Sequence, residues 1–269
     1  MPLRLLTWNI NSVRLRFELL AELARTTDAD VVCLQEIKCS NEDFPADRCR
    51  EIGFGHVHFN GQPGYHGVAT LSKLPSEPVA RENLDRSGDA RHLAVTIDAG
   101  GKSPVVVHNV YVPSGGDVPD ARENPKFEQK LEFLRSMARW TKARAKSERR
   151  AVLVGDLNVA PLEHDVWSHK QLLGVVSHTP VEVALLTNAQ RAGGWHDVMR
   201  GFVPAEEKLY TWWSYRAKDW RASNRGRRLD HVWASAELGG GARSMRVLDE
   251  VRGWDRSSDH APVLVELAT

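Results

Sequence analysis

A carboxylate and a carboxamide stand two residues apart at the end of an apolar segment. The segment AVLVGDLNVAP, residues 151–161, contains a short buried-strand pattern that ends at Gly155, and Asp156 and Asn158 follow on a turn. Because side chains at i and i+2 of a strand point the same way, the two groups are presented together. A carboxylate can take a proton from water or bind a metal, and an amide can donate to an oxyanion. The pair suits hydrolysis, although both residue types are also common turn formers.

Polar residues follow other apolar segments in the same way. They are Asn9 and Asn11 in TWNIN, Glu36 in VVCLQEIK, Tyr111 in VHNVYVPSG, Asp230 in RRLDHVW, and Asp259 with His260 in SSDHAPV. Each of them taken singly has an ordinary structural interpretation, as a turn residue, a solvated charge or a cap. Polar groups at strand ends can converge at one rim of packed sheets. The set as a whole therefore predicts a single site.

The hydrophobic pattern predicts the elements that must position these residues. Strands are expected at residues 3–10, 31–35, 68–72, 93–97, 105–111, 152–154, 230–234, 245–251 and 263–267. Helices are expected at residues 15–26, briefly after Pro45, from about residue 127, and around 181–192, while Gly61, Gly64, Gly67, Pro75 and Pro78 mark turns. Strands outnumber helices and are not all separated by them, which indicates mixed sheets covered by helices. Since no linker or low-complexity tract divides the chain, we expect one domain over residues 1–269.

Length and composition are those of an ordinary soluble globular protein. The 269 residues carry a formal net charge of +1, which neither favours nor excludes a nucleic-acid partner. Cys33, Cys39 and Cys49 are odd in number and lack CxxC spacing, so they are interpreted as reduced thiols of a cytoplasmic protein. The apolar N-terminal stretch is too short and too polar for a signal peptide. No segment approaches the roughly 20 apolar residues that span a membrane, so no membrane partner is expected.

The order of the motifs is similar to that of one known family. The segments TWNINSVR, LQEIK, NVYVPSG, GDLNVAP, YTWWSYR, RRLD and SDHAPV occur in this sequence in that order. The chain resembles the exonuclease III family of abasic-site endonucleases and 3′-exonucleases, from about Leu3 to Leu267. GDLN and SDH indicate only the wider endonuclease/exonuclease/phosphatase superfamily, whereas TWWSYR and NVYVPSG are typical of exonuclease III. The resemblance implies an α/β fold, a four-layer sandwich of two packed mixed β-sheets flanked by α-helices, with the site at one end.

The resemblance also implies an activity. It is Mg²⁺-dependent hydrolysis of DNA phosphodiesters, as an abasic-site endonuclease, a 3′-to-5′ exonuclease and a 3′-phosphatase, with Mn²⁺ as a substitute metal. The expected partner is double-stranded DNA with abasic sites or 3′ ends, and the expected state is a monomer. Two alternatives remain open. One is another phosphodiesterase or phosphatase of the superfamily, acting for example on lipid or inositol phosphates, and the other is a non-catalytic DNA-binding module.

Roles follow from the resemblance residue by residue. It implies Glu36 as the principal Mg²⁺ ligand, helped by Asn9 or Asn11 and by Asp259, with Asp156 and Asn158 as further candidate ligands. It also implies Asp156 as the general base, Asn158 as a donor to the phosphate, Asp230 with His260 as an Asp–His pair, and Tyr111 near the scissile phosphate. Two positions depart from some relatives: Asn11 stands where they have Asp, and Ser114 where they have a longer amide. We therefore expect Ser114 to make a shorter phosphate contact, or none.

The substrate-binding residues are expected in a basic, tryptophan-rich segment. By resemblance, Trp212, with Trp213, and Leu229 line a small pocket for a flipped abasic sugar. Arg227 stands where the family has a bulky apolar residue, and it either stacks on an indole and closes the pocket or turns out to a phosphate. The basic cluster 216–228 is expected to contact DNA, because it leads directly into Asp230. The cluster 139–150 is expected to be a solvated helix face.

Overall fold

A computed structural model describes residues 2–101 and 103–269. Within that part the chain forms fourteen strands: β1 (Leu3–Asn9), β2 (Val31–Gln35), β3 (His56–Asn60), β4 (Val68–Ser72), β5 (Ser76–Ala80), β6 (His92–Ile97), β7 (Val105–Tyr111), β8 (Ala151–Asp156), β9 (His196–Asp197), β10 (Trp212–Trp213), β11 (Gly226–Arg227), β12 (Asp230–Ala234), β13 (Ala242–Val247) and β14 (Val263–Leu267). The same residues form nine α-helices: α1 (Phe17–Thr27), α2 (Ala46–Glu51), α3 (Pro125–Arg144), α4 (His169–Leu172), α5 (Pro180–Gly193), α6 (Val198–Phe202), α7 (Trp220–Ser223), α8 (Ala236–Gly239) and α9 (Asp249–Arg252).

Two mixed six-stranded sheets carry the fold. The first sheet has the strand order β13-β14-β1-β2-β4-β3, and the second has the order β5-β6-β7-β8-β12-β9. Each sheet contains one parallel pair next to antiparallel neighbours: β1 with β2 in the first, and β7 with β8 in the second. A separate two-stranded ribbon joins β10 to β11. The mixed sheets confirm the expectation drawn from the order of the elements.

The layers are held together by three apolar clusters. Between the sheets, Leu5 and Cys33 of the first sheet pack with Val107 and Val154 of the second. On the outer face of the first sheet, α1 buries Phe17, Leu20 and Leu23. Fully burying an apolar side chain of this size contributes roughly 1.5–3 kcal/mol. On the outer face of the second sheet lie α3 and α5, with buried side chains that include Leu134, Met137 and Leu186. The four-layer α/β sandwich is confirmed.

Helix α5 begins and ends where its sequence directs. Thr179 caps the N-terminus and Glu182 completes a capping box with it, while Pro180 occupies the first turn, where its missing N–H costs nothing. Gly194 ends the helix in the left-handed conformation.

In residues 2–101 and 103–269, no helix combines the length and apolarity that crossing a bilayer requires.

Among the strands of five residues or more, three differ from the expectation. Strands β3 and β5 were not predicted, and Pro78, expected to mark a turn, lies inside β5. A proline is tolerated there because β5 is an edge strand. The strand expected at residues 245–251 was wrong in its second half: β13 ends at Val247, and Asp249–Arg252 form α9. That helix buries Val251 against the outer face of the first sheet.

Two buried histidines form a hydrogen-bonded chain below α3. His92 Nδ1 accepts from the backbone N–H of Glu82, so its proton lies on Nε2, which is 3.1 Å from His108 Nδ1. His108 Nε2 in turn lies 2.8 Å from Glu148 Oε2. Burial, with the positive charges of His108 and Arg144 as further causes, lowers the pKa of His92 well below its ordinary value of 6.5. Protonated His92 would present a second N–H to a backbone donor, so the folded protein favours its neutral form.

The hydrogen bonds of buried His92 predict that the folded protein loses stability at acidic pH. Because the pKa of His92 is lower in the folded than in the unfolded protein, its contribution is present above pH 6.5 and is lost as the pH falls towards the folded value. We expect His92→Gln, which keeps a donor but cannot titrate, to flatten the pH dependence of the free energy of unfolding by up to about 1.4 kcal/mol per pH unit. Urea unfolding of the parent and variant between pH 7.5 and 5 measures this, with exposed His196→Gln as the control. Equal slopes in all three proteins would contradict it.

Candidate active site

The predicted site residues meet at one end of the two sheets. Tyr111, Asp156 and Asp230 lie side by side on β7, β8 and β12, because Tyr111 pairs with Asp156 and Asp156 pairs with Asp230. The first sheet brings Asn9 to the same end, at the last paired position of β1. Asp259 and His260 precede β14, which runs antiparallel to β1 and so starts where β1 ends. The convergence expected from the strand ends is therefore present.

Backbone turns aim the side chains after two of these strands. Glu36 and Asn158 have left-handed backbone conformations, with φ of 50° and 54°. Before Asn158, Gly155 has φ of 136°, and a Cβ at that position would lie 1.9 Å from the carbonyl oxygen of Val110. Only glycine allows β7 and β8 to approach so closely. The conformation of GDLN is thus imposed by sheet packing as well as by its turn-forming residues.

Asp156 is buried at the centre of the site. Its Oδ1 accepts from the backbone N–H of Asn158 at 3.0 Å, and its Oδ2 accepts from Asn158 Nδ2 at 3.0 Å and Asn9 Nδ2 at 2.9 Å. Burial raises the pKa of Asp156 to about 7; the positive charge of His260 opposes this, and the negative charge of Asp230 adds to it. A carboxyl group with such a pKa can both accept and release a proton near neutral pH.

His260 lies between two carboxylates. Its Nδ1 donates to Asp230 Oδ2 at 2.8 Å, and its Nε2 is 3.8 Å from Asp156 Oδ2. Burial alone would lower the pKa of His260, but the negative charges of Asp230 and Asp156 outweigh it and raise the pKa to about 10. His260 is therefore an imidazolium at neutral pH, with both nitrogens acting as donors.

Glu36 is joined to both sheets. Its Oε1 accepts from Asn9 Nδ2 and from the hydroxyl of Tyr111, both at 2.9 Å, and its Oε2 lies 2.8 Å from Lys38 Nζ. Burial would raise the pKa of Glu36, but Lys38 and the Asn9 bond outweigh it and lower the pKa. Lys38 was not singled out from the sequence, although it ends the segment LQEIK. It also donates to Asn11 Oδ1 at 2.6 Å.

Asp259 connects this network to the tryptophan-rich segment. Its Oδ1 accepts from Asn11 Nδ2 at 3.3 Å, and its Oδ2 accepts from Trp212 Nε1 at 2.9 Å. Glu36, Asp156, Asp259 and His260 all line a cleft of about 580 Å³, and Ser114 and Asn158 lie on its wall. The cleft thus holds predicted groups from both sheets.

Arg227 adopts the first of its two alternatives and closes one side of the cleft. Its guanidinium lies 5.2 Å from the centre of the Trp212 ring. Nη1 donates to the carbonyl of Val176 at 3.1 Å and to Ser177 Oγ at 2.8 Å. Leu229 is buried beside it and also lines the cleft. Ser177 was missed from the sequence, because its partner is fifty positions away.

Two residues of the tryptophan-rich segment lie elsewhere. Trp213 is buried against Tyr210 and Trp220 and lines a separate groove rather than the cleft. Arg228 has no exposed side-chain area, and its guanidinium bonds Asp165 and Asp197 at 2.7 Å each. The expectation that the whole basic cluster contacts DNA is therefore wrong for Arg228, which is bound within the protein. Arg216 and Arg225 do line the cleft.

The donor atoms of the site fit a hard divalent cation. Among the described residues, carboxylate oxygens of Asp156 and Asp230 and a ring nitrogen of His260 lie within 4.8 Å of one another. Because His260 is protonated, only the two carboxylates of this group would be metal ligands. Asp230 Oδ1 is buried, and no described residue donates a hydrogen bond to it. Glu36 and Asp259 add carboxylate oxygens to the same cleft. Carboxylate and amide oxygens are the ligands that Mg²⁺ prefers, whereas the site lacks the thiolates that favour softer metals.

A family profile and a curated relative each match most of the chain. The profile of the Endonuclease/Exonuclease/phosphatase family matches residues 6–260. Exodeoxyribonuclease III of Haemophilus influenzae is 28% identical over 271 residues, which cover 98% of this chain and 99% of that protein.

Solved structures are similar over nearly the whole chain. One is a 3′ phosphatase from Neisseria bound to a product DNA hairpin, with a TM-score of 0.89 and 28% identity, covering 99% of this chain and all of that one. Another is an AP endonuclease from Archaeoglobus fulgidus, with a TM-score of 0.88, 28% identity and the same coverage of both chains.

Proposed function

The chain belongs to the endonuclease/exonuclease/phosphatase family, and from that premise we propose that it is a DNA-repair nuclease that hydrolyses phosphodiester bonds. The observation that carries the proposal is the convergence of Glu36, Asp156, Asn158 and His260 on one cleft. Relatives named as an exodeoxyribonuclease III, a 3′ phosphatase and an AP endonuclease support DNA as the substrate. We further propose double-stranded DNA with abasic sites or 3′ ends as the partner, and a monomeric cytoplasmic protein whose residues 1–269 are one catalytic domain.

Asp156 and His260 divide the proton chemistry in this proposal. Asp156 aligns the attacking water and accepts its proton, which its pKa of about 7 allows near neutral pH. The imidazolium of His260, held by Asp230 through Nδ1, donates from Nε2 to a phosphate oxygen and stabilises the developing negative charge. Asn158 orients Asp156 through Nδ2, whose other hydrogen is donated to the carbonyl of Val112. It becomes the second donor to the phosphate when the bond to Val112 is exchanged for one to a phosphate oxygen. Tyr111 orients Glu36 by donating its hydroxyl hydrogen to Oε1.

Glu36 is the principal ligand of a Mg²⁺ ion in this proposal. Asn9 or Asn11 and Asp259 help to hold the ion, and Mn²⁺ can take its place. A bound divalent ion would neutralise charge on the phosphate and polarise a phosphate oxygen. Lys38 places one positive charge beside Glu36 and keeps it ionised, so the carboxylate is ready for a cation.

A duplex with one abasic site tests the proposed function. We expect cleavage of that strand with Mg²⁺ and none after chelation, together with release of nucleotides or phosphate from 3′ ends. A soluble phosphoinositide in the same buffer tests the phosphatase alternative, and we expect no phosphate release from it. Turnover of the phosphoinositide without DNA cleavage would overturn the proposal. DNA binding without any turnover would do so as well, in favour of a binding module.

Arg227 is proposed to set the preference between abasic sites and 3′ ends. Because it is held over Trp212 and bonded across the cleft, it occupies space that a flipped sugar would need. Arg227→Leu removes the charge and the bond to Ser177, so we expect the ratio of abasic-site cleavage to 3′-exonuclease activity to rise. Since Nη1 is already bonded to protein atoms, we expect the salt dependence of DNA binding to change by less than about one phosphate contact.

Both activities on matched duplexes, for parent and variant over a salt series, measure this prediction. Arg221→Leu is the matched control: Arg221 is in the same basic cluster but pairs with Asp249 outside the cleft. An unchanged ratio in Arg227→Leu would mean that Arg227 does not restrict the pocket. A salt slope that falls by a full contact would mean that it turns out to a phosphate in the complex.

A further inference from the structure

A lysine and a glutamate form an ion pair that is fully buried behind the cleft. Lys130 of α3 and Glu182 of α5 have no exposed side-chain area, and Lys130 Nζ lies 2.5 Å from Glu182 Oε1. Neither residue lines the cleft. Removing two charges from water is costly, and their mutual attraction compensates only when further hydrogen bonds satisfy the remaining groups. The partners of each residue therefore indicate what the pair does.

The ammonium group of Lys130 is fully used. Besides Glu182, it donates to the carbonyl of Asn158 at 2.8 Å and to the carbonyl of Ser114 at 3.1 Å. A lysine has three donors, and these three acceptors account for all of them. The loop after β7 packs tightly on the lysine stem, because a Cβ on Gly115 would lie 2.8 Å from Lys130 Cδ. One side chain thus fixes the loops that follow two neighbouring strands.

Glu182 fixes a third loop. Its two oxygens each accept from the backbone N–H of Ser177 at 3.0 Å, and Oε2 also accepts from the N–H and hydroxyl of Thr179. Ser177 has φ of 88°, a conformation that these bonds help to hold. Its hydroxyl is the group that accepts from Arg227. The carboxylate therefore supports the wall that carries Arg227.

The three loops form one wall of the cleft. Ser114, Asn158, Val176 and Ser177 all line it, and each lies on a loop bonded to Lys130 or Glu182. Of these residues, Asn158 is the one bonded directly to the proposed general base. It has a left-handed backbone, and its side chain donates to both Asp156 and the carbonyl of Val112. The carbonyl of Asn158 accepts from Lys130, so Lys130 helps to fix the backbone of Asn158. That backbone sets the direction of the Asn158 side chain.

We propose that Lys130 is a positioning residue for the reaction, which acts through the backbone of Asn158 with Glu182 as its buried counter-ion. The proposal rests on the proposed function, because DNA cleavage is its readout. Lys130 touches no substrate atom; it keeps Asn158 and Asp156 in the geometry that the bound phosphate requires. Misplacement by about 1 Å can cost on the order of 10²-fold in rate. Loss of Lys130 should therefore lower kcat more than it changes KM.

The double variant Lys130→Met, Glu182→Gln is the central test. It removes both charges together and leaves no unpaired buried ion, so it carries the test even if Lys130→Met alone does not fold. We expect kcat on abasic duplex DNA to fall by about 10-fold or more, with KM within about threefold of the parent value. Thr141→Val is the matched control: Thr141 is buried on the same helix and ties α3 to α5 through the carbonyl of Ala189. It should lose stability while kcat stays within about twofold.

A double-mutant cycle with Asn158→Ala separates positioning from a general loss of structure. If Lys130 acts through Asn158, adding the Lys130 and Glu182 changes to Asn158→Ala should lower kcat little further. Full additivity, or a kcat of the Lys130 and Glu182 variant within twofold of the parent, would overturn the positioning role. So would a loss of kcat in Thr141→Val that scales with its loss of stability. An inactive parent protein would instead refute the proposed function itself.

Discussion

Asp156→Asn is expected to remove turnover while DNA binding persists. The substitution keeps the shape of the side chain and an oxygen that can accept from the backbone N–H of Asn158. It removes the group that accepts a proton from water, and loss of a general base costs at least ~10²-fold in kcat. It also removes a negative charge beside the cleft, so binding of the DNA phosphate should be unchanged or tighter.

Single-turnover cleavage and equilibrium binding of the same abasic duplex measure the two quantities. Asp47→Asn is the matched control, because it makes the same chemical change at a carboxylate that is 94% exposed on α2. Its turnover should equal that of the parent. Near-normal turnover in Asp156→Asn would remove Asp156 from its proposed role. Loss of both binding and turnover would point to a disturbed fold, which circular dichroism detects.

The fold could be predicted largely because its central strands are short apolar runs. Strands β1, β2, β4, β7, β12 and β14 lie within one residue of their expected bounds, and all are rich in buried aliphatic residues. The missed strand β3 is partly exposed at each of its residues, so its sequence has no run of fully buried residues. Strand β5 contains Pro78, and a proline inside a strand is acceptable only when the strand proves to be at an edge. Edge position is a property of the assembled sheet.

The site residues could be predicted for a different reason. Each lies at a strand end, and the order of the motifs resembles that of one family. The convergence of Asp156, Asp230 and His260 could therefore be predicted from the sequence. The contacts of Arg227 did not follow, because Val176 and Ser177 are about fifty residues away in the sequence. The buried pair of Lys130 and Glu182 was missed because a lysine on an amphipathic helix is usually solvated. Long-range polar partners have no local pattern.

Together, burial and charge raise the pKa values of both proton-bearing groups, but to different levels. Asp156 has a pKa raised to about 7, and His260 has one raised to about 10. Near neutral pH the first can exchange a proton with water and the second remains charged. Separation of this kind assigns the roles of base and cation without reference to any relative. Burial is the main cause of the shift at Asp156, and the charges of Asp230 and Asp156 cause the shift at His260. The cluster of carboxylates also makes the site attractive to a divalent ion.

Glu36→Gln is expected to weaken binding of the metal. The substitution preserves an oxygen for the bonds from Asn9 and Tyr111 but removes the negative charge that Lys38 now partners. Since a carboxylate ligand supplies both an oxygen and charge, we expect the Mg²⁺ concentration for half-maximal cleavage to rise by about 10-fold or more. The maximal rate should recover only in part at high Mg²⁺, because the positive charge of Lys38 has no partner at position 36 in the variant.

Calorimetric titration of Mg²⁺ and Mn²⁺ into the protein without DNA measures metal binding independently of activity. Glu18→Gln, on the exposed face of α1, is the matched control and should titrate like the parent. If Glu36→Gln also titrates like the parent, Glu36 is only a hydrogen-bonding and ion-pair partner of Tyr111 and Lys38. The metal would then have to lie on Asp259, or on the group formed by the carboxylates of Asp156 and Asp230, whose oxygens lie within 4.8 Å of each other. Asp259→Asn in the same titration would decide between those two sites, because that carboxylate is not part of the second group.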